Sequence, residues 1–202
     1  MAKKIIKTML KNGIDAIIAR NKSDAVVIEV QVNVGANDEN DSNRGISHFI
    51  EHMLFEGTKK RNAHQISSEI ESIGGELNAF TSHDRTCYYA VVPKKHFDIG
   101  LDVMEDIIKN PVFEENAIEK EKRVVIDEIN LIDDDPKFYQ FVLFLNKLYK
   151  KHAIKHPISG YKETVSKLSR EKIVEYYKKN YTANNIAICI SGDVKDAIIK
   201  AK

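Results

Sequence analysis

Only two cysteines, Cys87 and Cys189, occur in the 202 residues. Both fall in apolar, strand-like runs, so buried free thiols are expected rather than a disulfide. An excess of either charge is also missing: 31 basic side chains stand against 30 acidic ones, a formal net charge of +1. A nucleic-acid surface needs a clustered basic excess, so this balance argues against nucleic acid as a partner. No apolar run approaches the ~20 residues of a membrane span, which argues against a membrane partner. The opening MAKKIIKTML has lysines but no long apolar core. No secretory leader is therefore expected, and a reducing, cytoplasmic location fits the thiols. There is no linker rich in Gly, Ser or Pro, no internal repeat and no low-complexity tract. Residues 1–202 are expected to form one domain.

What is present is an ordinary globular balance, 43% hydrophobic and 30% charged. Two apolar runs around Asn12-Gly13 predict a hairpin. In VVIEVQVNVGA, Ile28, Val30, Val32 and Val34 alternate with polar residues, the period of a half-buried strand. The polar ANDENDSNRG predicts a loop. A helix is expected over 46–55, stopping near Gly57. A second is expected in AHQISSEIESIGG, with Ile66, Ile70 and Ile73 on one stripe and Gly74-Gly75 as its stop. GELNAFTS and RTCYYAVVP read as strands around Ser82-His83-Asp84. Helices follow over 94–109, 114–132 (the longest), 138–149 and 170–179, and NIAICISGD reads as a last strand. Asp193 would cap a further helix. The pattern is α+β, with a mainly antiparallel sheet covered by helices.

One pentapeptide stands out. In HFIEH, His48, Glu51 and His52 take positions i, i+3 and i+4, which share a helix face. Phe49, Ile50, Met53, Leu54 and Phe55 make the remaining sides apolar, so the helix should be buried. Ionisable groups on a buried helix are costly unless paired or metal-bound. Two histidines at this spacing can both reach a tetrahedral Zn²⁺, and the glutamate then lies beside the metal. The order H-x-x-E-H is the inverse of the commoner zincin motif. The plainer alternative is two helix histidines bonded to nearby backbone. A further carboxylate would decide between them. In EENAIEKEKRVVIDEINLI, Ile118, Val125, Ile129 and Ile132 form an apolar stripe. Glu121 and Glu128 fall inside it, seven residues apart. They either pair with Lys122 and Arg123 at the stripe's edge or lie over a metal.

RGISHFIEHMLFEGT, GGELNAFTSHDRTCYYAVV, EKEKRVVIDEI and YYKKNYTANNIAICISGDV occur in this order. They resemble the pitrilysin/insulinase-type zinc metallopeptidases (family M16), and in style the processing-peptidase-like bacterial branch. Glu128 lies 76 positions after His52, which matches that family's spacing to its third ligand. The resemblance implies a LuxS/MPP-like metallohydrolase fold and one Zn²⁺ held by His48, His52 and Glu128. It implies Glu51 as the general base for a zinc-activated water, and Glu121 as a supporting acid. Asn78, Ala79 and Phe80 match the strand edge that binds an extended peptide. The implied activity is that of a zinc metalloendopeptidase.

The resemblance reaches only the first of the two similar halves of such peptidases. The implied partner is therefore a C-terminal half or a homologous subunit, with a homodimer as the alternative. An Arg and a Tyr that the second half brings to the substrate have no match here. Two other readings remain open: a non-catalytic assembly subunit of the same family, and a non-peptidase zinc enzyme on a related fold. The latter type leans on a catalytic cysteine near the metal. His64, His96, His152 and His156 are expected to face solvent, Asp133 to Asp135 to form a solvated helix end, and the lysines around 147–151 a wet face.

Overall fold

In the computed structural model, which describes residues 4–194, the chain turns at Asn12-Gly13 as expected. Gly13 takes a φ of 94°, open to glycine, and β1 (Lys4–Met9) folds back antiparallel on β2 (Asp15–Arg20). β3 (Ala25–Val32) buries Val26, Ile28, Val30 and Val32 and leaves the alternate residues half-buried or exposed. β4 (Glu76–Thr81) and β5 (Thr86–Pro93) form a second hairpin, and β6 (Ile186–Gly192) is the last strand. The six strands lie in the order β1-β2-β6-β3-β5-β4. All neighbours are antiparallel except β2 and β6. The sheet is mainly antiparallel, and among the described residues β1 and β4 are its free edges.

Seven α-helices are described: α1 (Ile46–Met53), α2 (Ala63–Glu71), α3 (Phe97–Lys109), α4 (Glu115–Asp134), α5 (Pro136–Leu148), α6 (Lys162–Val165) and α7 (Arg170–Asn180). α3 packs across β3 and β5, and α1 lies against β4, β5 and α4. Ile18, Ile28, Tyr88 and Ile190 from the sheet meet Phe49, Ile50, Met104 and Ile107 in one core. The expected cover of helices is thus borne out on this face. On the other face Val27, Glu29, Tyr89 and Cys189 remain half-buried.

Three features differ from the sequence reading. The loop after β3 contains one 3-10 turn, Ala36–Asp38, whose Asp38 carboxylate accepts from the Gly35 N–H at 2.9 Å. α6 is a helix of four residues, too short for any periodicity to announce it. α5 forms where expected but buries none of its residues; Phe138, Phe141 and Phe144 are all exposed. The helix that Asp193 would cap lies outside the described residues.

The start of α1 is fixed by a backbone crossing. Gly45 and Gly160 have φ of 91° and 74°. A Cβ on Gly160 would stand 2.3 Å from the Arg44 carbonyl oxygen, and one on Gly45 2.5 Å from that of Ser159. Only glycine permits both the backbone angle and the approach.

Candidate metal centre

α1 and α4 bring the sequence-predicted ligands together. One donor atom each from His48, His52 and Glu128 lies within 4.8 Å of the others. The Nε2 atoms of both histidines stand 3.6 Å from Glu128 Oε2. Three ligands held at about 2.1 Å in a tetrahedral set would be about 3.4 Å apart. The residues therefore fit a zinc ion, with two imidazoles and one carboxylate.

Protonation favours the same chemistry at His48. Burial, helped by the neighbouring His52, lowers its pKa to about 4, so the ring is neutral and ready to donate a lone pair. His52 behaves differently. Burial lowers its pKa, but the hydrogen bond to Glu121 and the charges of Glu128 and Glu51 outweigh this and raise it overall. Its Nδ1 lies 3.2 Å from Glu121 Oε2, which leaves Nε2 facing Glu128. The His52 contact in turn holds Glu121 below the usual carboxylate range, against the opposing effect of burial. A buried carboxylate that orients a ligating imidazole is a common outer partner of metal sites.

Glu51 projects from the same turn of α1 towards β4, where the Thr81 hydroxyl donates to its carboxylate. Burial raises its pKa despite that bond, which makes the carboxylate more basic than in water. Beneath it, Tyr88 is buried and Tyr181 half-buried, their hydroxyls 2.7 Å apart. Ala79 and Phe80 line a cleft of about 420 Å³ together with His48, Glu51 and Glu128. Asn78 lies outside it, exposed on β4, and its side-chain oxygen accepts from the Ala79 N–H at 2.8 Å.

Several lining residues were not anticipated. Thr81 follows Ala79 by two positions, so strand alternation places it on the same face, and it reaches Glu51. Phe141, Lys155 and His156 close the far side of the cleft. The expectation that His156 faces solvent is corrected: its side chain is 15% exposed, and Nδ1 lies 2.8 Å from the Tyr161 hydroxyl. Asp135 is not merely solvated either; it caps α5 by accepting from the Lys137 N–H. Cys87 faces away from the site, towards Glu29 and Gln31, and burial pushes its thiol up to about 11. That is a poor nucleophile, and it removes support from the cysteine-dependent alternative.

The chain is similar to known proteins over most of its length. The family model described as Insulinase (Peptidase family M16) matches residues 16–162, and that described as Peptidase M16 inactive domain matches 167–202. An uncharacterized zinc protease of Bacillus subtilis, YmxG, is 36% identical over 191 residues, 94% of this chain and 47% of that protein. The mitochondrial-processing peptidase subunit beta of Dictyostelium discoideum is 35% identical, over 93% of this chain and 40% of its own length. The chain thus spans less than half of these relatives. Among solved structures, a protease from Helicobacter pylori shares the fold with a TM-score of 0.95 at 24% identity, covering 99% of this chain and 49% of that one. The first half of the Escherichia coli periplasmic protease PqqL superposes with a TM-score of 0.88 at 26% identity, over 98% of this chain and 45% of that one. The chain belongs to the insulinase family of zinc proteases, peptidase family M16, and corresponds to the N-terminal half of its members.

Proposed function

We propose that this chain is the catalytic half of a zinc metalloendopeptidase that hydrolyses extended peptides. The observation that carries the reading is the convergence of His48, His52 and Glu128, with Glu51 on the same turn of α1. A bound Zn²⁺ would supply Lewis-acid chemistry, lowering the pKa of a water towards about 7 and polarising the scissile carbonyl. Glu51 then has one task on this chain: its carboxylate takes a proton from the attacking water and returns it to the leaving amine. Its raised basicity suits that task, the Thr81 hydroxyl donates to one of its oxygens, and the residue lines the cleft. Glu121 orients His52.

The free edge of β4 supports the substrate mode. An edge strand pairs with an extended peptide through main-chain hydrogen bonds, and the cleft beside it takes a side chain. Asn78, Ala79 and Phe80 are the residues of that edge, and Ala79 and Phe80 also face the cleft. The Ala79 N–H, now bonded to the Asn78 amide, is the donor a substrate carbonyl would take over.

The test is Glu51→Gln, measured in the chain combined with its complementary half. Zinc content should stay at one equivalent while peptide turnover drops at least a hundredfold, the scale of losing a proton acceptor. Undiminished turnover would assign the base to another group.

A further inference from the structure

α1 carries His48, Glu51 and His52 on only eight residues, yet it has no capping side chain of its own. Its N-cap is Gly45. The first N–H groups of a helix have no partner within it, and when buried they need one from elsewhere. Glu39 supplies it from the preceding loop. Its Oε2 accepts from the Gly45 N–H and its Oε1 from the Ser47 N–H, both at 2.8 Å. The residue is only 6% exposed. Burial pushes its carboxyl up to about 7, and the Ser47 and Gly45 donors and the Arg44 charge pull against that shift without cancelling it. Here it faces two backbone donors and the positive end of the helix.

The surroundings leave the carboxylate little freedom. Arg44, itself buried, donates to the Ala36 carbonyl at 3.2 Å and ties the loop back on itself. The Ser47 hydroxyl meets that of Tyr176 at 3.0 Å, which holds the same turn from α7. The Thr164 hydroxyl donates to the Arg44 carbonyl at 2.7 Å, beside the Gly45–Gly160 crossing. His48 directly follows Ser47, so the Glu39 grip lies one residue before the first ligand. In a helix of two turns, rotation at this end is carried to Glu51 and His52 without loss.

We infer that Glu39 is a positioning residue of the zinc centre: its carboxylate fixes the rotation and depth of α1, and thereby the aim of His48 and Glu51. It acts through backbone and bonds to neither the ligands nor Glu51. The inference rests on the zinc-peptidase reading of the same site.

The experiment uses the 202-residue chain with Glu39→Gln, Glu39→Asp and, as a control, Asp106→Asn, a buried change in α3. Zinc affinity is measured by chelator competition, stability by thermal unfolding, and the α1 amides by hydrogen exchange in metal-free protein. Glu39→Gln keeps one acceptor but turns an amide N–H towards the other donor. It should weaken zinc binding about tenfold, the scale of losing an outer partner of a metal site, and speed exchange at Gly45 to His48. Glu39→Asp keeps the charge but is shorter, and should lose less. Asp106→Asn should lower the unfolding temperature while leaving zinc affinity and α1 exchange unchanged. Wild-type affinity and exchange in either folded Glu39 variant would overturn the inference. So would a loss of affinity that follows unfolding temperature equally in Asp106→Asn. If the wild-type chain binds no zinc, the peptidase reading fails by itself, and α1 exchange in the metal-free variants still decides the role of Glu39.

Discussion

His48 and His52 are four positions apart on one face, yet their surroundings drive their protons in opposite directions. Burial and His52 keep His48 neutral down to about pH 4. At His52, the hydrogen bond to Glu121 and the charges of Glu128 and Glu51 overcome burial and raise its pKa. Zinc takes only neutral imidazole, so binding must displace the proton of His52 but not that of His48. Zinc affinity is therefore expected to fall as pH drops through the raised pKa of His52, before His48 titrates. Glu121→Gln removes the acceptor that favours the imidazolium. It should move this dependence to lower pH while weakening binding at neutral pH by about 10- to 100-fold. Chelator competition across pH 5.5 to 8 reads both effects, and parallel curves for the two proteins would refute the assignment. These residues were legible because helix periodicity is local: H-x-x-E-H and the seven-residue step from Glu121 to Glu128 each fix a face without knowledge of the rest. Thr81, His156 and Glu39 were not legible, because each meets the site only through the packing of a separate element.

Elements show the same division. β3 and the two hairpins follow from alternation and turn residues, but nothing local tells β6 to enter between β2 and β3. That placement is decided by long-range pairing. α4 serves core and site at once: Ile118, Val125 and Ile129 are buried, while Glu121 and Glu128 sit among them facing α1. α2, α3 and the loop before them are held by a polar knot that the sequence did not announce. Arg61 donates to Asp106 at 2.9 Å, to Glu69 at 3.0 Å and also to Asp102, and Thr58 donates to Asp106 at 2.6 Å. Burial tends to raise the pKa of Asp106. The bonds from Thr58, Asn110 and Arg61 together outweigh it, and the value is lowered. A lowered carboxylate stabilises the fold above its unfolded pKa and loses that contribution as pH falls through the folded value. Asp106→Asn should cost about 1–3 kcal/mol at pH 7, and the gap to wild type should narrow below about pH 4. Denaturant unfolding at pH 7 and pH 3 checks this; a gap independent of pH would mean that charge plays no part. For β4, Ala79→Pro removes an edge N–H at a position where an edge strand tolerates proline. In the assembled enzyme it should raise KM several-fold with zinc content unchanged.

On the scale of the whole molecule, the division between a complete metal site and an incomplete catalytic one becomes testable. The proposed ligands, base and supporting acid all come from α1 and α4, so on that reading zinc binding would need nothing beyond this chain. Catalysis needs more: donors aimed at the developing oxyanion and a substrate held in near-attack geometry. The cleft is lined on one side by β4 and on the other by α5 and the segment around His156, and Phe141 stays exposed beside it. The chain spans less than half of its relatives. We therefore expect the isolated chain to fold and bind one zinc ion, yet to cleave an unstructured peptide slowly. Losing a single oxyanion donor costs about 100- to 1,000-fold in rate, and an open cleft also leaves the reacting groups in water, where charges are stabilised less. Adding the complementary half should restore turnover by at least that factor without changing zinc content. A homodimer is the other way to build a second wall, since the two halves are similar in fold, and it would show as turnover that rises with the square of chain concentration. Equal turnover with and without the complementary half, linear in concentration, would mean that this chain contains every group the reaction requires.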